Sequence, residues 1–119
     1  MKELVIIDDD YLVVQALETI VNSKENLTVV ATGRSGQDAV GLYQQHQPVL
    51  LVMDIRMGPM SGIEAAASIL EEHKEAKILF ITTFQDDDYI TKAMALGCRG
   101  YILKQNIKGI VPAIEAVDN

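Results

Sequence analysis

The chain has 119 residues, of which 49% are hydrophobic, and a formal charge of −7. That length suits one domain with a real core and leaves no room within it for a second. The acidic balance, with no basic stretch, argues against nucleic-acid binding by this chain, because contacts to phosphates need a positive footprint. No stretch approaches the roughly 18 consecutive apolar residues of a membrane span. The opening Met1-Lys2-Glu3, followed by a short apolar run and then acids, is too short for a secretion signal. The reading is a soluble cytoplasmic protein that does not engage a membrane. Cys98 is the lone cysteine, cannot form an internal disulfide, and reads as a small buried residue.

Apolar runs alternate with helical stretches. Leu4 to Ile7 is a continuous apolar run that ends in acids. A helical pattern follows, with Leu12, Val13, Ala16, Leu17, Ile20 and Val21 on one face. Leu27 to Ala31 reads as a second strand. Ser35 can cap a helix to about Gln45 that carries Ala39, Val40 and Leu42. Val49 to Met53 is a third strand, ended by Asp54. Ser61 can cap a helix through about His73. Ile78 to Ile81 is a fourth strand, ended by Thr82. A helix from about Asp87 to Leu96 stops at Gly97, a natural C-terminal cap. Tyr101 to Leu103 is a fifth strand, ended by Lys104. Ile107, Ile110, Val111, Ile114 and Val117 make a last helical stripe, and Pro112 places its regular part from about Lys108 onward.

Five strands alternating with five helices predict an α/β fold with a doubly wound parallel sheet. Continuous apolar runs suit parallel strands covered on both faces. In open parallel sheets the crevice lies beyond the carboxyl ends of the strands. Those ends carry Asp8, Asp9 and Asp10 after the first strand, Asp54 after the third, Thr82 and Thr83 after the fourth, and Lys104 after the fifth. With the common strand order 2-1-3-4-5, Asp8, Asp9 and Asp54 converge at the switch point. Carboxylates so close repel one another unless a cation intervenes. A hard divalent ion such as Mg²⁺ is the natural compensation. A nucleophilic carboxylate, a metal, a lysine and a hydroxyl together make a phosphoryl-transfer site.

At these residues the sequence resembles the response-regulator receiver domain of two-component signalling. The matching pieces are Ile6-Ile7-Asp8-Asp9, Met53-Asp54-Ile55-Arg56-Met57, Thr82 and Tyr101-Ile102-Leu103-Lys104. Their order and spacing agree, and the resemblance spans the whole chain. Ile81-Thr82-Thr83-Phe84, the acid run after it and Gly97-Cys98-Arg99-Gly100-Tyr101 resemble the NarL/LuxR-type transcription regulators. The resemblance implies a flavodoxin-like (βα)5 fold over residues 1–119. It implies Asp54 as the phosphoacceptor, receiving a phosphoryl group from a histidine kinase. It implies Mg²⁺ held by Asp9, by Asp8 mostly through water, by Asp54 and by the backbone carbonyl of Arg56. Lys104 would pair with the phosphoryl oxygens, Thr82 would move toward them, and Tyr101 would swing between outward and inward positions. Arg56 and Phe84 would set the lifetime of the phosphoryl group. A C-terminal DNA-binding domain, absent from this chain, would be the output, and a homodimer would be strengthened by phosphorylation.

The match has departures. The loop after Asp54 runs Met57-Gly58-Pro59, where the family usually has Met-Pro-Gly. Gln105 follows Lys104 where a proline is common, which argues against a cis peptide at that bond. Asp10 is an additional acid, suited to a helix start. Each residue alone has a plainer reading: Asp8 and Asp9 as helix caps, Lys104 as a surface charge, Tyr101 as edge-strand packing. Asp86 to Asp88 read as a solvated helix start, and His46 and His73 as solvated. Only their joint register favours the site. Two other functions compete with the switch. A receiver-fold interaction module that is never phosphorylated usually lacks one of the site residues, and none is missing here. An aspartyl phosphatase commonly wants a second acid two residues after its nucleophile, where Arg56 stands. The chain is therefore read as no enzyme beyond its own phosphorylation and dephosphorylation.

Overall fold

The computed structural model describes residues 1–83 and 87–118. The strands are β1 (Lys2–Ile7), β2 (Leu27–Gly33), β3 (Leu50–Asp54), β4 (Ile78–Thr82) and β5 (Gly100–Leu103). Between and after them lie α1 (Tyr11–Asn22), α2 (Gly36–His46), α3 (Gly62–Glu72), α4 (Asp87–Ala95) and α5 (Ile110–Asp118). The sheet is parallel throughout and ordered β2-β1-β3-β4-β5, as expected. It is the flavodoxin-like doubly wound architecture.

The unbroken apolar strands are explained by what covers them. Val5, Ile7, Leu51, Met53, Ile78 and Phe80 face one way, into a core shared with Ala39, Tyr43, Ala65, Ala66, Ile69 and Ala93 of α2, α3 and α4. Leu4, Ile6, Leu50, Val52, Leu79 and Ile81 face the other way, onto Val14, Leu17, Val21, Ile110, Ile114 and Val117 of α1 and α5. Alternate residues thus serve opposite layers, and a polar residue in any central strand would be buried unpaired.

Local chemistry sets the helix ends. Ser35 Oγ accepts from the Asp38 amide at 3.0 Å and starts α2. Ser61 and Glu64 form a reciprocal capping box at the start of α3. Gly97 takes a φ of +99° just past α4, the left-handed stop that the sequence predicts.

Some expectations shift. The buried face of α1 is Val14, Leu17 and Val21, while Leu12 is 73% exposed. Asp10 caps the helix, which starts at Tyr11, so Leu12 lies in its first turn, outside the buried i, i+3, i+7 stripe. Strand β2 runs two residues further than expected, and its register against β1 slips by one residue between Leu4 and Val5. The last helix begins at Ile110 rather than Lys108, because Lys104–Gly109 forms a 3-10 segment interrupted at Asn106. Pro112 then falls in the first turn of α5, where its missing N–H costs nothing. Cys98 is buried, as expected, and burial pushes its thiol up to about 11. His73 is not freely solvated: it caps the end of α3, its Nε2 lies 3.0 Å from Gln44 Oε1, and its ring centre is 5.0 Å from that of Tyr43.

Candidate functional site

Four strands, β1, β3, β4 and β5, deliver polar groups at their carboxyl ends. β1 runs out into Asp8, whose amide still donates to Gly33 O of β2 at 3.1 Å. β3 ends on Asp54 and β4 on Thr82, and all three side chains are buried although polar. Lys104 follows β5 directly, and the pairing of Thr82 with Leu103 sets it beside the end of β4. Asp9 stays exposed at the rim. Asp10 is used up as the cap of α1, its carboxylate accepting from the Leu12 amide at 3.0 Å.

These groups converge. Lys104 Nζ lies 3.2 Å from Asp8 Oδ2 and 3.2 Å from Asp54 Oδ2. Carboxylate oxygens of Asp8, Asp9 and Asp54 all lie within 4.8 Å of one another. Asp8 Oδ1 accepts from the Asp10 amide at 2.9 Å, and Asp54 Oδ1 accepts a long bond from the Arg56 amide at 3.4 Å. Asp8 Oδ2 is buried with no aligned hydrogen bond, so its contact with Lys104 is one of charge rather than of well-directed donation.

The charges do not balance: three carboxylates face one ammonium. Burial pushes the Asp8 carboxyl up to about 7, Asp54 adds to the rise, and the Asp10 amide and Lys104 oppose it. Burial also raises Asp54, against the pull of Lys104. Burial alone would lower the Lys104 ammonium, but Asp54 and Asp8 together outweigh it and raise the group. A buried oxygen without a directed partner beside neighbouring carboxylates is a donor set that could hold a cation. Oxygen donors of this kind fit a hard divalent ion such as Mg²⁺.

The loop after Asp54 is held close to it. The Gly62 amide donates to Ile55 O at 2.6 Å. A Cβ on Gly62 would lie 2.3 Å from Asp54 O, so only glycine lets α3 start this near the strand end. The Arg56 side chain runs toward α4, its guanidinium carbon 5.8 Å from the centre of the Tyr89 ring. Lys92 Nζ approaches the same ring at 5.7 Å. Tyr89 and Lys92 carry no signal in the sequence, because only the fold brings α4 beside this loop. Thr82 Oγ1 donates to Thr83 O at 3.3 Å. Tyr101 points outward and is 47% exposed. Phe84 and Asp86 lie outside the described residues. The surface hollows along α1 and between α2 and α3 take in none of the strand-end carboxylates. Among the described residues, no helix is long and apolar enough to cross a membrane.

Known proteins resemble the chain along most of its length. Residues 4–115 match the family model of the response regulator receiver domain. The oxygen regulatory protein NreC of Staphylococcus haemolyticus is 38% identical over 103 residues, covering 86% of this chain and 48% of that protein. The transcriptional regulatory protein LnrK of Bacillus subtilis is 35% identical over 118 residues, covering 98% and 54%. The chain thus spans about half the length of the curated relatives it matches. A DNA-binding response regulator of the LuxR family from Staphylococcus aureus superposes with a TM-score of 0.92 at 29% identity, covering 100% of both chains. The chain is a member of the response regulator receiver domain family, and a LuxR-family regulator is among the structures it resembles.

Proposed function

We propose that this domain is the phosphorylation switch of a two-component system, with Asp54 as phosphoacceptor. The observation that carries the reading is Lys104 Nζ at 3.2 Å from both Asp8 and Asp54, at the mouth of a three-carboxylate cluster. In the reaction, an Asp54 oxygen attacks the phosphorus of a phosphohistidine on a partner kinase. The P–N bond breaks, its electron pair returns to the imidazole, and an acyl phosphate forms. Lys104 offsets the added negative charge and Thr82 donates a hydrogen bond to the phosphoryl oxygens. Asp9, Asp54, the Arg56 carbonyl and, through water, Asp8 would hold Mg²⁺, which supplies charge neutralisation on the transferring group. Hydrolysis of the acyl phosphate resets the domain, and no other turnover is assigned to it.

Phosphorylation acts by shifting populations. Moving a 1:99 equilibrium to 99:1 takes about 5.5 kcal/mol of differential stabilisation. Several charge-assisted hydrogen bonds, at about 1.5–3 kcal/mol each, are enough. Thr82 draws the start of α4 toward the phosphoryl group, and Tyr101 turns inward as space opens. The output is control of transcription through a DNA-binding domain outside this chain, with dimerisation strengthened by phosphorylation, in the cytoplasm. A relative about twice as long that is named a transcriptional regulatory protein supports this output.

The test is intact-mass and peptide mass spectrometry after treatment with acetyl phosphate. One phosphoryl group on Asp54, dependent on Mg²⁺ and lost in Asp54→Ala, is the expected result. Equal labelling of the Asp54→Ala protein would overturn the assignment.

A further inference from the structure

The loop that follows Asp54 is pinned at its base and steered from another element. At the base, the Gly62 amide donates to Ile55 O, and the Asp54 carbonyl lies against the bare Cα of Gly62. Between these pins Met57 is buried in the core. Met60 then carries the far side of the loop across to α2. It is half-buried, packs on the core layer shared with α2, α3 and α4, and lies on Gly36, the first residue of α2.

The contact is close enough to depend on glycine at position 36. A Cβ built on Gly36 would lie 2.5 Å from Met60 Cγ and 2.8 Å from both its Cβ and its Sδ. The tip of a methionine can swing aside, but its Cβ moves only with the main chain. A methyl group at position 36 therefore pushes the loop itself. Gly41, further along the same helix, has nothing within 4 Å of its own Cβ position. Alanine forms helix better than glycine, so a loss seen only at position 36 comes from the contact with Met60.

The same corner of the fold also holds the other wall of the acid cluster. Gly33 O, at the end of β2, accepts from the Asp8 amide at 3.1 Å. From Gly33 to Gly36 the turn is stiffened locally. The Arg34 amide donates to Asp38 Oδ2 at 2.9 Å, and the Asp38 amide donates to Ser35 Oγ at 3.0 Å. One end of this turn thus fixes the Asp8 main chain, and the other end seats the loop that follows Asp54.

We propose that Met60, seated on Gly36, is a positioning residue for the cation and phosphoryl site, spacing the Arg56 carbonyl and the Asp54 loop from Asp8. This rests on the cluster holding a divalent cation and on Asp54 being the phosphoacceptor. Met60 acts through the loop, not by contact with the reacting atoms.

The experiment titrates Mg²⁺ into the metal-free chain and its variants while NMR follows the backbone amides of residues 55–58. Labelling of Asp54 by acetyl phosphate is timed in parallel by mass spectrometry. Gly36→Ala should shift the Arg56 and Gly58 amide signals before any metal is added. It should weaken Mg²⁺ binding about 10-fold and slow labelling by a similar factor. Gly41→Ala should leave all three readings unchanged. Met60→Ala, which loosens the loop without pushing it, should weaken Mg²⁺ binding about 3-fold. In the double variant the methyl at position 36 has room. Binding should then return to the level of Met60→Ala, not to the roughly 30-fold loss of independent effects. Mg²⁺ affinity unchanged in Gly36→Ala overturns the proposal, even where urea unfolding shows that variant to be less stable. So does full multiplication of the two effects in the double variant. A wild type that binds no Mg²⁺ overturns the cation reading and takes the proposal with it. A wild type that binds Mg²⁺ but takes no label overturns the phosphoacceptor reading alone, and the amide shifts and the Mg²⁺ titration still decide the seat.

Discussion

The two edges of the sheet carry charge clusters of similar make-up and opposite electrostatics. At the carboxyl edge, Asp8 and Asp54 share Lys104 with the Asp9 carboxylate close by, so among the described residues negative charge is in excess. At the amino edge, Lys2 opens β1 and Lys77 precedes β4, and both bind the carboxylate of Asp118 at the end of α5. There, among the described residues, two lysines share one carboxylate. Lys77 Nζ also donates to the Asp118 carbonyl at 2.9 Å, which ties down the last turn of the helix. Burial raises Asp8 and Asp54 despite their lysine. The hydrogen bonds from Lys2 and Lys77 lower Asp118 despite some burial. The lesson is that an ion pair is not stabilising by nature. The amino-edge cluster ties the fold together, whereas the carboxyl-edge cluster is a cost to the fold, consistent with the proposed binding there.

The contrast can be broken most forcefully at Lys104. In chelator-treated protein at pH 8, Lys104→Met should lower stability by about 3 kcal/mol, since Asp8 and Asp54 would then be buried without a cation. Urea unfolding at two pH values checks it. The loss should shrink at pH 5, where the Asp8 carboxyl, titrating near 7, is already largely protonated, and an equal loss at both pH values would contradict the assignment.

Removing one negative charge at each edge should give effects of opposite sign. The Asp8 carboxyl titrates near 7 in the fold, above its ordinary 3.8. Its contribution to stability is therefore complete below about pH 4 and is lost as pH rises through about 7. Asp8→Asn should avoid that loss and stabilise the metal-free domain by about 2 kcal/mol at pH 8, with little gain near pH 4. The same variant should forfeit the stabilisation by Mg²⁺, about 1.4 kcal/mol for the wild type at tenfold the dissociation constant. Thermal melts with and without Mg²⁺ measure both effects.

Asp118→Asn should do the reverse and more weakly, costing about 0.5 kcal/mol at neutral pH after allowance for solvent screening. Asp118 is lowered from 3.8, so its contribution is present above that value and lost as pH falls through the lower one. Added salt should shrink the effect, and a gain in stability would erase the contrast between the edges.

The carboxyl edge was legible in the sequence because parallel sheets force a rule on it. Asp8, Asp54, Thr82 and Lys104 each end an apolar run, and every such end points to one crevice. The amino edge was not, because Lys2 and Asp118 are 116 positions apart and exposed charges carry no periodicity. Tyr89 escaped for the same reason: nothing in a short helix with one buried residue, Ala93, announces which loop its rings will meet. The face of α1 was legible only approximately, since Leu12 and Val14 are equally apolar and only the helix phase separates them. The slip between β1 and β2 was invisible, as one extra residue in an apolar run leaves the pattern unchanged.

Gly62 gives the proposed phosphoacceptor an unusual mechanical footing. With two backbones in direct contact behind it, the main chain of Asp54 has nowhere to recoil when a bond forms at its carboxylate. The strand end acts as an anvil, and whatever yields on phosphorylation must lie on the facing side, in the loops that carry the hydroxyl and the amine.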